Sequence, residues 1–430
     1  MPGNSIDNIH VPLFDPACWQ NMDQIHAIFA QMRRDSPVHR GSCAGFPDLW
    51  HATRHADIFE IERNSAAFLN APRLIIMESA REEAVRRMTG GSTDLVQSLV
   101  SMDNPMHSKM RRLTQSFFMP KNLRSLQDSI DASTALGVET LLVADGPIDF
   151  AQDVALEFPL RVIMALLGIP KNDYGLMLKL TQELFGPDDP DTQRRDVTNE
   201  RSKAEALQKT YAEFAAYFSD VTADRRANPK EDLASIIANA TIDGRPISDR
   251  EALGYFIIIA TAGHDTTSYS LTEAVRQLAT DPILFARFKS DPETIAPKIV
   301  EEAIRFASPV RHFIRTADTD YELRGRRIAA GDSIVLWYPS GSRDEGVFEK
   351  PDRFDIDRPT SPQHASFGHG AHLCLGMHLA RQEIRTFLIA LVNRVSSMAL
   401  LEEPRYLRSN FVGGIKSLSL SLKVETQVCK

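Results

Sequence analysis

The residues best placed to do chemistry lie between Phe367 and Gly376, FGHGAHLCLG, where one cysteine sits among glycines directly ahead of an amphipathic helix. Gly368 and Gly370 accept positive φ and carry no Cβ, so the backbone there can run close beneath a large planar ligand. Cys374 precedes GMHLARQEIRTFLIALVNRV, in which Leu379, Ile384, Phe387, Leu388, Leu391 and Val392 recur at helical spacing. The free amides and positive dipole end of that helix face the sulfur and favour its thiolate. A lone cysteine is more often a small buried hydrophobe, and His364, His369, His372 and His378 nearby raise the alternative of zinc. Structural zinc takes two or more cysteines, or histidines at fixed helical spacing, and this loop has a single cysteine. The pattern therefore reads as a thiolate presented to a flat metal centre.

Three other groups of residues bear on that chemistry. The segment from Gly254 to Thr280 reads as one long helix whose apolar stripe, Tyr255, Ile258, Ile259 and Ala262, is broken by Gly263, His264, Asp265, Thr266 and Thr267. Glycine inside a helix costs about 1 kcal/mol relative to alanine, so it asks for a packing or functional reason. Close packing, with a threonine hydroxyl bonding the carbonyl one turn back, is one such reason. Glu302 and Arg305 stand three apart, on one helical face. His107 and Arg111 stand four apart on a helix that Pro105 opens and Asp103 or Asn104 would cap, and Arg315 follows in RHFIRTAD.

Phe, two glycines, His and Cys-x-Gly together resemble the haem-binding loop of the cytochrome P-450 haem-thiolate monooxygenases. The resemblance implies haem b (iron protoporphyrin IX), with Cys374 as axial iron ligand, Phe367 shielding the sulfur, Gly376 closing the loop and His372 contacting a propionate. It implies propionate contacts for His107, Arg111 and Arg315, and a structural, haem-retaining role for Glu302 and Arg305, with Arg353 or Arg358 as third partner. Gly263 matches the glycine that opens a groove for dioxygen, and Asp265 and Thr266 match the acid and alcohol that organise proton delivery. Pocket positions fall on Ile258, Ala262, Val310, Phe313, Phe411 and Val412, each of which also suits ordinary core packing. The resemblance runs from about Pro37 to Leu422 and, within the family, points to the soluble bacterial branch that includes the terpineol-oxidising enzymes. Ser342 departs from the family's usual asparagine, and the stretch from Asn70 to Met102 has no close match and is expected to form part of the pocket wall.

The elements that must position these residues are mainly helices with small β-sheets, matching the family's triangular prism. Helical periodicity recurs over Leu123 to Leu142, Phe158 to Leu167 and Lys203 to Arg226, and strand-like alternation over Val38 to His51 and Tyr321 to Pro339. Residues 1–430 read as a single domain, with 1–36 an N-terminal extension, 37–422 the catalytic core, and a structureless lid between Gly186 and Lys203. The net charge of −8 argues against nucleic-acid binding. No stretch suits a membrane span or secretory signal, and Cys18, Cys43, Cys374 and Cys429 form no disulfide framework, which implies a soluble, cytoplasmic protein; a monomer is expected. The chain shows no nucleotide fingerprint or multi-cysteine cluster of its own, so electrons must come from outside. The resemblance implies an iron–sulfur ferredoxin with its NAD(P)H-dependent reductase, dioxygen, and a hydrophobic substrate, either a monoterpene, a terpene alcohol or an aromatic hydrocarbon. A peroxide-driven peroxygenase and a non-catalytic haem sensor are the rival readings.

Overall fold

A computed structural model describes residues 8–195, 197 and 200–425, and it is mainly helical with small sheets. The largest sheet contains β1 (Val38–Gly41), β2 (Leu49–Ala52), β3 (Phe68–Leu69), β4 (His312–Ala317) and β5 (Ser333–Trp337), in the order β1-β2-β5-β4-β3. β5 runs parallel to β2 and antiparallel to β4, with Ile334 opposite Arg315. Every residue of β5 is buried because both faces are covered. Alternation sends Ile334 and Leu336 toward Ile58 and Ile61, and Val335 and Trp337 toward Trp19 and Phe29. The described part of the expected extension 1–36, residues 8–36, packs into the core through Leu13, Phe14, Trp19, Ile25 and Phe29. The indoles of Trp19 and Trp337 lie 5.8 Å apart.

The helices that matter for the site are α1 (His55–Arg63), α2 (Ser79–Thr89), α3 (Met106–Gln115), α4 (Glu157–Leu167), α5 (Tyr174–Phe185), α6 (Glu200–Ala227), α7 (Asp249–Ala262), α8 (Asp265–Thr280), α9 (Pro292–Ala307) and α10 (Met377–Val392). The helix expected across 254–280 is thus two helices, divided at Gly263 and His264. α7 starts at a capping box in which the Ser248 hydroxyl accepts from the Glu251 amide and the Glu251 carboxylate accepts from the Ser248 amide. No corresponding cap opens α3: Pro105 occupies that position, and the Asp103 carboxylate instead accepts from the amides of Asn70 and Ala71, at 2.8 and 3.1 Å. That bond ties the unmatched stretch 70–102 to the base of α3.

Two segments are expected as covers of the pocket, and the first of them, 70–102, does line it. The stretch 70–102 contains α2 and ends in a loop whose Gln97 carbonyl would lie 2.0 Å from a Cβ at position 254, so Gly254 is what allows that loop to rest on α7. The lid expected between Gly186 and Lys203 is not structureless in its described part. Asp189 is fully buried, accepts from Lys416 Nζ at 2.8 and 2.9 Å, and takes the Arg408 amide at 2.8 Å. Arg194 meets Glu183 and Lys203 meets Asp188, at 2.8 and 2.7 Å. A buried acid needs such partners, and here it finds them in the C-terminal segment, far away in sequence. Among the described residues no helix is long and apolar enough to cross a membrane.

Candidate active site

One cavity of about 390 Å³ gathers most of the residues expected to act. Its floor is the loop ahead of α10, with Phe367, Gly368, His372, Cys374 and Gly376; its opposite wall is the broken helix, with Ile258, Ala262, Gly263 and Thr266. Val310, Phe313, Phe411 and Val412 complete the apolar upper wall, where Val310 and Val412 are joined by a β-bridge. Asp265 does not line the cavity: it is 2% exposed and stands behind Thr266 against His264.

The thiolate loop is shaped by its glycines. Gly368 and Gly370 have φ of +66° and +67°, in the left-handed region that side chains disfavour. A Cβ on Gly370 would stand 2.1 Å from the Glu62 carbonyl, so this turn is seated on the end of α1. The Cys374 amide donates to the Phe367 carbonyl at 2.9 Å and closes the loop. Burial pushes the Cys374 thiol up, while the amides of Gly376 and Met377 and the cations Arg111 and Arg381 pull it down. The helix-start amides do face the sulfur, but desolvation exceeds them, and a metal cation is the partner that would make a buried thiolate favourable.

Basic groups collect at one side of the floor. His107 and Arg111 on α3, Arg315 on β4 and His372 in the loop all face the cavity. The His107 and His372 rings lie 3.9 Å apart, and burial is the chief cause holding their pKa values down at about 4 and about 2. Neither ring nitrogen of His107 has a hydrogen-bond partner among the described residues. Asn70 donates to His372 Nε2, and Arg111 donates to the Leu373 carbonyl at 2.7 Å. Orphaned buried imidazole nitrogens beside two guanidinium groups fit a ligand that brings carboxylates, and the cavity between a lone cysteine and an apolar helix fits its flat body. The donor set therefore suits a haem with propionates on this side.

Glu62 on α1, which no sequence pattern marked, is buried in the same corner. Its Oε1 accepts from the Tyr338 hydroxyl at 2.7 Å and lies 3.4 Å from Arg315 Nη2, and desolvation raises its pKa to about 7. On the distal wall the Thr266 hydroxyl donates to the Ala262 carbonyl at 2.8 Å, and a Cβ on Gly263 would come within 2.6 Å of Ile163 Cδ1. Both packing reasons are thus present alongside cavity exposure.

Glu302 and Arg305 sit outside the cavity on α9, beneath the loop. Both are buried, and Arg305 grips Glu302 through two 2.7 Å bonds. Of the two candidate third partners it is Arg358 whose side chain reaches Glu302, at 3.1 Å; Arg353 offers only its carbonyl to Arg305. Arg305 also donates to the Ser342 carbonyl at 2.8 Å, and the Ser342 hydroxyl accepts from the Ala365 amide, so Ser342 carries the network into the loop.

Comparison with known proteins agrees with this geometry. The family model described as "Cytochrome P450" matches residues 187–399. Cytochrome P450-terp from Pseudomonas sp. is 41% identical over 408 residues, covering 94% of this chain and 95% of that one. Linalool 8-monooxygenase from Pseudomonas putida is 32% identical, covering 92% and 95%. The crystal structure of CYP108D1 from Novosphingobium aromaticivorans superposes with a TM-score of 0.90 at 41% identity, covering 97% of this chain and 99% of that one. A Mycobacterium marinum cytochrome P450, CYP268A2, solved in complex with pseudoionone, gives 0.84 at 31%, covering 93% and 95%. Near-complete coverage at such identity, together with a cysteine loop facing a broken distal helix, makes the chain a member of the cytochrome P450 family, a haem-thiolate monooxygenase close to the terpineol-oxidising branch.

Proposed function

We propose that this monooxygenase hydroxylates a small terpene alcohol or related terpenoid, using dioxygen and electrons from an iron–sulfur ferredoxin served by an NAD(P)H-dependent reductase. The observation that carries the substrate reading is the two-ended character of the cavity. Near the thiolate its walls are Ile258, Ala262, Val310, Phe313, Phe411 and Val412. It also reaches a polar group of Arg81, Asp94 and Tyr211, where Arg81 Nε is buried without a partner among the described residues and burial pushes the Tyr211 hydroxyl up to about 12. A pocket with apolar walls and a few polar groups orients a hydrophobic body by one polar end. A relative named for linalool and a structural neighbour complexed with pseudoionone support terpenoid chemistry.

In this reading Cys374 holds the iron of haem b, Phe367 covers the sulfur and Gly376 ends the loop. His107, Arg111, Arg315 and His372 bind the propionates, while Glu302 and Arg305 brace the loop from below. When bound, the haem activates dioxygen for insertion into a C–H bond. Gly263 and Thr266 line the space where dioxygen would be activated; Thr266 would turn its hydroxyl there from the Ala262 carbonyl, and Asp265 behind it would supply protons. The enzyme acts as a single-domain, cytoplasmic monomer. The acid and alcohol favour a monooxygenase over a peroxygenase, which needs no such pair.

The test is an optical titration of the ferric protein with terpene alcohols and the matching hydrocarbons, following displacement of iron-bound water as a low-to-high spin shift. Alcohols should bind more tightly than their hydrocarbons, and Tyr211→Phe should narrow the gap. Equal affinity across each pair removes the polar-end reading.

A further inference from the structure

His264 is fully buried at the break between α7 and α8, and its ring contacts define where its hydrogens lie. Nε2 is 2.6 Å from the Leu156 carbonyl, which can only accept, so Nε2 carries a hydrogen. Nδ1 is 3.3 Å from Thr181 Oγ1 and 3.3 Å from Asp265 Oδ1. Thr181 already directs its single hydroxyl hydrogen at the Leu178 carbonyl, 2.9 Å away, and so meets Nδ1 as an acceptor. Nδ1 therefore faces two oxygens, and one hydrogen placed between Nδ1 and Asp265 Oδ1 satisfies both of those atoms. Asp265 Oδ2 is buried and has no partner among the described residues, so it is left open.

The titratable neighbours facing this pair are few. Tyr269, one turn along α8, is buried, and its hydroxyl is held well above its ordinary value by burial and by Asp265. Arg311 and Asp189 stand beyond Tyr269 and act on it. Burial raises the pKa of Asp265, and His264 opposes that rise. From this arrangement we propose that His264 is the positioning residue of proton supply: anchored by Leu156 and Thr181, it holds one oxygen of Asp265, leaves the other free, and shares a single proton with the carboxyl group.

The inference rests on the reading of Asp265 as the proton supplier, and its experiment separates the two. Haem-loaded wild type, His264→Phe, His264→Asn and Asp265→Asn are compared across pH for the share of reducing equivalents lost as peroxide. The protonated-carboxyl infrared band assigned through Asp265→Asn is followed in the ferrous carbon monoxide complex. In His264→Phe the peroxide share rises and the carboxyl midpoint moves up, since the His264 interaction that opposes the rise is gone. His264→Asn keeps a donor toward Oδ1 without titrating, so it restores coupling while the midpoint stays displaced. If His264→Phe fails to fold, the His264→Asn midpoint decides. Asp265→Asn impaired with both His264 variants matching wild type in coupling and midpoint overturns the positioning role; Asp265→Asn indistinguishable from wild type overturns the proton-supply reading itself.

Discussion

Arg305→Met should be the most damaging single change beneath the thiolate loop, and the structure gives its size. The guanidinium is 2% exposed, makes two 2.7 Å bonds to Glu302, and donates to the carbonyls of Ser342, Pro351 and Arg353 at 2.8, 2.9 and 3.3 Å. Methionine keeps the apolar stem and removes every one of these donors. Breaking a buried pair from one side costs about 3–5 kcal/mol, and Arg358 remains to soften the loss, so about 4 kcal/mol is expected. Arg358→Met leaves the Glu302–Arg305 pair intact and removes one charge-assisted contact to Glu302, at 3.1 Å, with exposed donations to the carbonyls of Glu349, Lys350 and Arg353 that water can replace, for about 2 kcal/mol. With an unfolding entropy of about 2.1 cal/mol/K per residue over the 430-residue chain, the melting point should fall by about 4 °C and about 2 °C respectively. Because Ser342 and Ala365 connect the network to the loop, the Arg305 variant should also lose haem faster on storage, read as Soret absorbance per chain. An Arg358→Met loss equal to or greater than that of Arg305→Met would refute the ranking and the place of Arg305 at the centre.

Gly370→Ala should lower thermal stability and haem loading more than Gly368→Ala. Both pay about 1–3 kcal/mol for a side chain at positive φ, but only at Gly370 does the new Cβ also meet a main-chain atom, the Glu62 carbonyl at 2.1 Å, against 3.2 Å to a side-chain oxygen at Gly368. For Glu62 the folded pKa is raised to about 7 from 4.5, so its contribution to stability is complete below about pH 4.5 and lost as pH rises through about 7. Glu62→Gln should accordingly be more stable than wild type at pH 8, by as much as about 3 kcal/mol, and gain nothing at pH 4.5; a gain independent of pH excludes the buried charge as its cause. Thr266→Ala should divert reducing equivalents into peroxide while leaving the substrate-induced spin shift intact, and unchanged coupling would remove the hydroxyl from proton delivery.

What was legible in the sequence was local. The glycines around Cys374, the polar break in the distal helix and the Glu302–Arg305 spacing are each contained in a few consecutive residues, and each appears where expected. Glu62 was not legible: within EIERN it looks like one charge of a solvated helix face, and only its approach to Arg315, on a strand far along the chain, buries it. The burial of Asp189, within the stretch expected as a structureless lid, was not legible for the same reason, since its partners Lys416 and Arg408 lie in the C-terminal segment. The choice of Arg358 over Arg353 depended on which side chain turned toward Glu302, and composition carries no sign of that. Asp103 resembled a helix cap, yet tertiary contact with Asn70 and Ala71 took its carboxylate.

The anchoring of Asp189 has a consequence for the wall of the cavity. Its carboxylate holds the chain at Arg408 and Lys416, and the residues between those points include Phe411 and Val412, which wall the cavity. The connection after α5 and the substrate-facing turn are therefore clasped by one buried knot. Displacing the connection after α5 tugs on the cavity wall through that knot, so a substitution at either end of the clasp should change how a substrate fits against Phe411 and Val412.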